Sequence, residues 1–265
     1  MTKNDGIAVV SRHGAKTMPA WVKDFKATGN IYDKIFVTIT EEVGQKFMEQ
    51  GKEILGDKTY ENSILTHTDL IRTLQSGIAF TSAADVQNTY HDERPDLATP
   101  NADWGHPEVK KIMGESMVDE KLDWNLFIKN IFNNFYFPSK EDASMPSMAD
   151  AEYSLINSIK ENLVYLSVNQ KEDELSFMGN FNHAPTIDTL AMRATESLEI
   201  SPEHRVAEVN DNYQGGVAPG EMFVGNIYNL QSDNPSIELE VKGKVVGYTM
   251  KDLENIEKTL QTYIE

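Results

Sequence analysis

The chain contains no cysteine, which excludes disulfides, thiol catalysis and thiolate metal sites and suits a reducing compartment. Positive charge is scarce. Against 42 Asp and Glu stand only 24 Lys and Arg, a formal net charge of -18, so a surface for non-specific contact with nucleic acid or an anionic membrane is not expected. No apolar run approaches the roughly 20 residues that a transmembrane helix needs. The opening Met1-Thr2-Lys3-Asn4-Asp5-Gly6 is polar, without the apolar core and small-residue cleavage site of a signal peptide. These absences lead to the expectation of a soluble, cytoplasmic protein with neither a nucleic-acid nor a membrane partner. No pair of histidines has ligand spacing on a helix and no acidic cluster matches one, so neither a metal nor a cofactor is expected. Repeats, linkers and low-complexity tracts are also missing, and the 265 residues read as one domain. Oligomeric state has no signature in the sequence.

What is present begins with Ile7-Ala8-Val9-Val10-Ser11-Arg12-His13-Gly14. A short apolar, β-branched run bounded by turn residues reads as a buried strand, here delivering Arg12 and His13 at its C-terminal end. Gly14 lets the backbone turn and come close to a small anion. Met18 to Phe25 reads as a loop with one helical turn at most. Thr40 caps a helix over about 40 to 55, with Val43, Phe47 and Ile54 on one face. Asn62 to Thr66 is a second strand. Thr68 is read as the N-cap of the next helix, Leu70, Leu74 and Ile78 as its apolar face, and Arg72 falls in its first turn, where free N–H groups favour an anion.

Residues 83 to 107 are polar and turn-rich. Two helical stretches follow, at about 107 to 134 and 147 to 166, so that 83 to 150 reads as an inserted region of helices and loops shaping a substrate pocket. Its Phe-rich Leu126 to Phe137 is read as packing. Leu175 to Asn182 is a third strand, ending at His183, with a helix behind it that has Pro185 near its first position. The last quarter holds strands around 222 to 230, 237 to 241 and 244 to 248. A closing helix from Met250 to Tyr263 carries Leu253, Ile256 and Leu260 on one stripe. The turn at Gly215-Gly216 lacks the strand and helix flanks of a phosphate loop.

Three strand ends therefore carry Arg12-His13, Thr68 to Arg72, and His183. If the strands are neighbours in one parallel sheet, two imidazoles and two guanidiniums converge at its C-terminal edge, where open α/β sheets bind ligands. Such a cluster suits a phosphoryl group, whose transfer depends on positioning and on stabilising the equatorial oxygens. An imidazole attacking phosphorus must be neutral and held in one tautomer, with a backbone carbonyl in the turn at Gly14 as the expected partner of its other nitrogen. His67, His91, His106 and His204 have no such setting, although His67 lies next to the second strand end.

In this ordered skeleton the chain resembles the histidine phosphatase superfamily, also called phosphoglycerate-mutase-like. The resemblance rests on the strand ending in Arg12-His13-Gly14, on Thr68-x-Leu70-x-Arg72-Thr73-x-Gln75-Ser76, and on the late strand ending in His183 before an apolar helix. It implies a three-layer α/β/α fold with a mostly parallel central sheet. His13 would be the nucleophile, and Arg12, Gly14, Arg72 and His183 would grip the phosphate. Ala15-Lys16-Thr17 follow Gly14 where the mutase-like branch usually has Glu or Gln and then Thr or Ser. Lys16 is reminiscent of the extra basic residue of the acid-phosphatase branch, yet Ala184 stands where that branch has Asp. The sequence thus sits closer to the mutase-like branch. Counting on from Arg72, the general acid falls in the 83 to 107 loop, where Glu93 is preferred over Asp96 and Asp103. The expected function is hydrolysis of a small-molecule phosphate monoester through a phosphohistidine on His13. The alternatives are a phosphoglycerate-type mutase and a catalytically inactive phosphoester-binding or interaction module.

Overall fold

The structure, a computed structural model, describes residues 4–17, 38–97 and 106–265; the readings at Met18 to Phe25 and at Asp103 lie outside the described residues. A seven-stranded sheet has the order β7-β6-β5-β1-β4-β2-β3. The strands are β1 (Asn4–Arg12), β2 (Asn62–His67), β3 (Thr89–Glu93), β4 (Ser176–Asn182), β5 (Met222–Tyr228), β6 (Ser236–Val241) and β7 (Lys244–Thr249). Pairs β1·β4, β4·β2 and β2·β3 are parallel, whereas β1·β5, β5·β6 and β6·β7 are antiparallel. Five of the seven strands thus run the same way, giving the mostly parallel sheet expected from the sequence. Every residue of β2 and β4 is buried, as central parallel strands covered on both faces require. Strand β6 instead alternates buried and exposed positions.

Helices cover both faces. Along β1, Ala8 and Val10 point into a core shared with α5 (Met148–Asn169), α6 (Thr186–Thr195) and α7 (Met250–Ile264). Val9 points the other way, into a core with Phe47 of α1 (Glu41–Leu55) and Phe80 of α2 (Ile71–Thr81). The alternation follows from the two-residue period of a strand, and each fully buried large side chain contributes roughly 1.5–3 kcal/mol relative to exposure. A third core joins α3 (Pro107–Glu115), α4 (Trp124–Phe135) and the hairpin Leu198–Ser201/Val206–Val209.

Several local readings need correction. The segment from 83 to 107 is not all loop, because Thr89–Glu93 forms the outer strand β3. Being partly exposed and polar on both faces, it shows no apolar alternation. The stretch from 107 to 134 is two helices separated by a small hairpin at Met117–Leu122, which turns at Asp119 and Glu120 with positive φ; Asp123 caps the second helix. The hairpin at 198 to 209 is absent from the sequence reading. Thr68 is not the N-cap of α2, since Leu70 occupies that position. The buried face of α2 consists of Arg72, Thr73, Ser76, Gly77 and Phe80, while Ile78 is exposed. This helix turns small and polar residues inward because it packs closely on the sheet and supplies the site.

Packing between α1 and α2 is close as well, backbone against backbone. A Cβ on Gly51 of α1 would lie 1.8 Å from the carbonyl oxygen of Phe80 in α2. Replacing glycine by alanine inside a helix ordinarily stabilises it by up to about 1 kcal/mol. Here Gly51→Ala should do the reverse and destabilise by about 1–3 kcal/mol, as overpacking does, read as a lower urea midpoint. A raised midpoint would refute the close approach.

Candidate active site

The C-terminal ends of β1, β4 and β2 lie side by side. Arg12 is in register with Asn182 and Phe181 with His67, and the His13 N–H continues the ladder by donating to the Asn182 carbonyl at 2.9 Å. This parallel pairing brings His13 and His183 together as consecutive strand ends. Their rings meet edge to face with centroids 4.6 Å apart. Arg72, in the first turn of α2, directs its Nε–H toward His13 Nε2 at 3.4 Å. All three side chains are buried.

His13 Nδ1 lies 2.6 Å from the Gly14 carbonyl oxygen. A carbonyl can only accept, so Nδ1 carries the proton and the neutral ring keeps its lone pair on Nε2, beside Arg72. The carbonyl partner expected from the sequence is thus the one found. Glycine at position 14 is demanded by α1, since a Cβ there would lie 2.0 Å from Val43 Cγ1. The Gly14 N–H donates to Ser76 Oγ at 3.2 Å, and Ser76 in turn donates to the Arg72 carbonyl at 2.8 Å.

His183 Nε2 is 3.0 Å from Thr68 Oγ1, which is also 3.0 Å from Thr73 Oγ1. Thr73 donates to the Leu70 carbonyl at 2.7 Å, the shortest contact of the group. With that hydrogen committed, Thr68 donates to Thr73 and His183 donates to Thr68 from Nε2. Thr68 accepts from the Leu70 N–H as well, at 3.3 Å. The sequence reading assigned Thr68 to capping and missed its bond to His183. The signal that could have found it is a hydroxyl ending the strand that lies beside the His183 strand.

Arg12 is held by a different set of groups. Its Nη1 donates to the Val217 carbonyl at 2.5 Å, and its guanidinium lies 5.0 Å from the ring centre of Trp124, at the start of α4. Nearby is Asp188 of α6, fully buried, whose Oδ1 accepts from the Val217 N–H at 2.6 Å. Asp188 escaped sequence reasoning because an acidic residue in the first turn of a helix looks like ordinary dipole compensation.

Of the candidate acids, Glu93 is the exposed last residue of β3, opposite His67. Strands β4 and β2 stand between it and β1, a distance of about 14 Å at ordinary strand spacing. Asp96 is engaged by Arg94 through two 3.0 Å bonds, and Arg94 also pairs with Glu161. Asp69, half-buried between Thr68 and Arg72, is a carboxylate on the site's own segment. Among the other histidines, His67 is buried and donates from Nδ1 to the Thr68 carbonyl at 2.8 Å. His91 and His204 are exposed. His106 caps α3, accepting from the Glu108 N–H, and bonds Asp142 at 3.1 Å. No described group of three or more His, Asp or Glu is arranged to hold a metal ion.

No protein-family model matches the chain, and no curated protein matches it. Solved structures do. A mycobacterial glucosyl-3-phosphoglycerate phosphatase is 13% identical, with 90% of this chain and 99% of that chain covered, at a TM-score of 0.49. A putative α-ribazole-5′-P phosphatase from Escherichia coli is 12% identical over 90% and 96%, at 0.45. A phosphoglycerate mutase from Bacillus anthracis is 10% identical over 96% and 97%, also at 0.45.

Burial, the largest influence, pushes the Asp188 carboxyl up to about 7 despite the opposing pull of the Val217 N–H, Arg12 and Lys242. A carboxyl raised above its unfolded value keeps its proton longer in the folded state, so its contribution to stability falls as pH rises from about 4 to about 7. Asp188→Asn lacks this titration. Relative to wild type, the variant should therefore gain unfolding free energy across that window, by at most about 1.4 kcal/mol per pH unit. Urea denaturation over the same range checks this, and a difference independent of pH would contradict it.

Proposed function

We propose that the protein is a phosphatase hydrolysing a phosphate monoester through a phosphohistidine on His13. The observation that carries the reading is the Nδ1–H bond of His13 to the Gly14 carbonyl, which leaves Nε2 with its lone pair between the Arg72 guanidinium and His183. An imidazole so oriented is a nucleophile, and the groups around it are donors suited to phosphoryl oxygens.

In the proposed reaction His13 Nε2 attacks phosphorus while the bond from phosphorus to the leaving oxygen breaks. Arg12, Arg72 and a doubly protonated His183, which keeps an N–H beyond the one given to Thr68, take the equatorial oxygens, with the Gly14 turn close to the anion. Glu93 is the proposed carboxylic acid that protonates the leaving oxygen, which requires the ester to lie across the ends of β4 and β2, between His13 and the end of β3. Water then attacks the phosphohistidine, the N–P bond breaks, Glu93 recovers the water's proton, and inorganic phosphate leaves. The substrate is a small-molecule phosphate ester. The guanidiniums and imidazoles supply the charge that a metal would otherwise bring, and chelator should leave turnover of p-nitrophenyl phosphate unchanged. A cytoplasmic location belongs to the same reading, supported by the lack of cysteine; among the described residues no helix is long and apolar enough to cross a membrane.

His13→Ala should abolish turnover of p-nitrophenyl phosphate with the fold retained, and wild-type protein quenched under alkaline conditions during turnover should carry an acid-labile phosphate on His13. Retention of most of the rate by His13→Ala would leave direct attack by water as the better account. Glu93→Gln should slow esters with poor leaving groups far more than p-nitrophenyl phosphate, whose leaving oxygen needs little protonation. Arg72→Ala should weaken inorganic phosphate binding by roughly 1.5–3 kcal/mol, the worth of a charge-assisted hydrogen bond, as measured by calorimetric titration.

A further inference from the structure

We propose that Asp188 is a positioning residue for Arg12, acting through the Val217 peptide. The inference rests on the phosphate-binding role of Arg12 proposed above. Asp188 Oδ1 accepts from the Val217 N–H at 2.6 Å, and the carbonyl of the same residue accepts from Arg12 Nη1 at 2.5 Å. One residue is therefore gripped on both its polar groups, by the carboxylate behind and the guanidinium in front. The segment that carries Val217 is also held on either side of it: the Gly216 N–H donates to Asn125 Oδ1 at 3.0 Å, Lys242 Nζ donates to the Gly216 carbonyl at 3.4 Å, and the Ala218 N–H donates to Glu221 Oε2 at 2.7 Å, with its far end fixed to the site strand. There the Gly220 N–H reaches the Arg12 and His13 carbonyls at 3.2 Å, and the Arg12 N–H donates to the Glu221 carbonyl at 3.1 Å.

Both ends of the relay are enclosed. Asp188 and Val217 are 1% and 0% exposed, so water cannot substitute for the carboxylate if it is removed. Arg12 is packed on its other side by Trp124, which limits the directions in which the guanidinium can swing but supplies no acceptor to fix it. Aim is thus set by the Val217 carbonyl, and of the bonds that place it the Asp188 bond is the one made to the same residue, those of Asn125 and Lys242 falling on Gly216. Burying an acidic side chain is costly unless something is gained from it. Here the gain is a fixed arginine beside the attacking histidine.

The test is calorimetric titration of the full chain with inorganic phosphate, comparing wild type, Arg12→Ala, Asp188→Ala, Asp188→Asn and the double variant Arg12→Ala/Asp188→Ala. Asp188→Ala should weaken phosphate binding by about tenfold, in the range of one charge-assisted bond. The double variant should bind no more weakly than Arg12→Ala alone, because both changes remove the same interaction. Asp188→Asn, which keeps an oxygen for the Val217 N–H, should recover most of the loss. Wild-type affinity in Asp188→Ala would overturn the proposal, as would losses that simply add in the double variant, the result of general structural damage. If Asp188→Ala does not fold, Asp188→Ser, too short to reach the amide, takes its place. Should Arg12→Ala leave phosphate binding unchanged, the role of Arg12 in the proposed site fails, and the role of Asp188 falls with it.

Discussion

The register between β1 and β4 is the constraint on which the rest of the site depends. Pairing Arg12 with Asn182 makes His13 and His183 the next residues of two adjacent parallel strands, and the His13 N–H bond to the Asn182 carbonyl locks that alignment one step beyond the ladder. A slip of one residue would turn Ala8 and Val10 out of one core and Val9 out of the other. The apolar alternation of β1 therefore fixes the spacing of two imidazoles that themselves add little to stability.

Around those strand ends, several buried polar groups have their bonds completed nearby, although Arg12 Nε and Asn182 Nδ2 are buried without a hydrogen-bond partner among the described residues. His13 uses the carbonyl of its own neighbour, His183 a hydroxyl from the adjacent strand end, and Ser76 joins the Gly14 amide to the Arg72 carbonyl. Each such group would cost about 1–3 kcal/mol if left unpaired. Completing them through backbone and short hydroxyl side chains also leaves few rotamers open, so the same bonds that offset burial hold the rings in place.

The sequence carried the frame well where apolar patterning was strong. Strands β1, β2 and β4, the helices after them and the closing α7 could be placed because Val9, Leu65 or Leu253 recur with the period of their element. The cluster of His13, His183 and Arg72 followed from strand ends alone. What could not be read was mostly polar and non-local. Strand β3 gives no alternation, and the inward face of α2 is small and hydrophilic. The bond from Thr68 to His183 joins residues 115 positions apart, and Asp188 acts across a turn whose residues carry no motif. Glycine at positions 14 and 51 answers to helices packed against them, information that lies in pairs of elements and in neither one singly.

The third core, built from α3, α4 and the hairpin at 198 to 209, takes in Met148 and Ala149 of α5 and Met192 of α6 but no residue of the seven-stranded sheet. It meets the strand ends through Trp124 beside Arg12 and through Asn125, whose side chain accepts from the Gly216 N–H at 3.0 Å. Because none of its side chains comes from the strands that carry the imidazoles, its outer residues are open to replacement without moving them. The chain is in this sense divided into a part that must be kept and a part that can be rewritten, with Trp124 and Asn125 at the border.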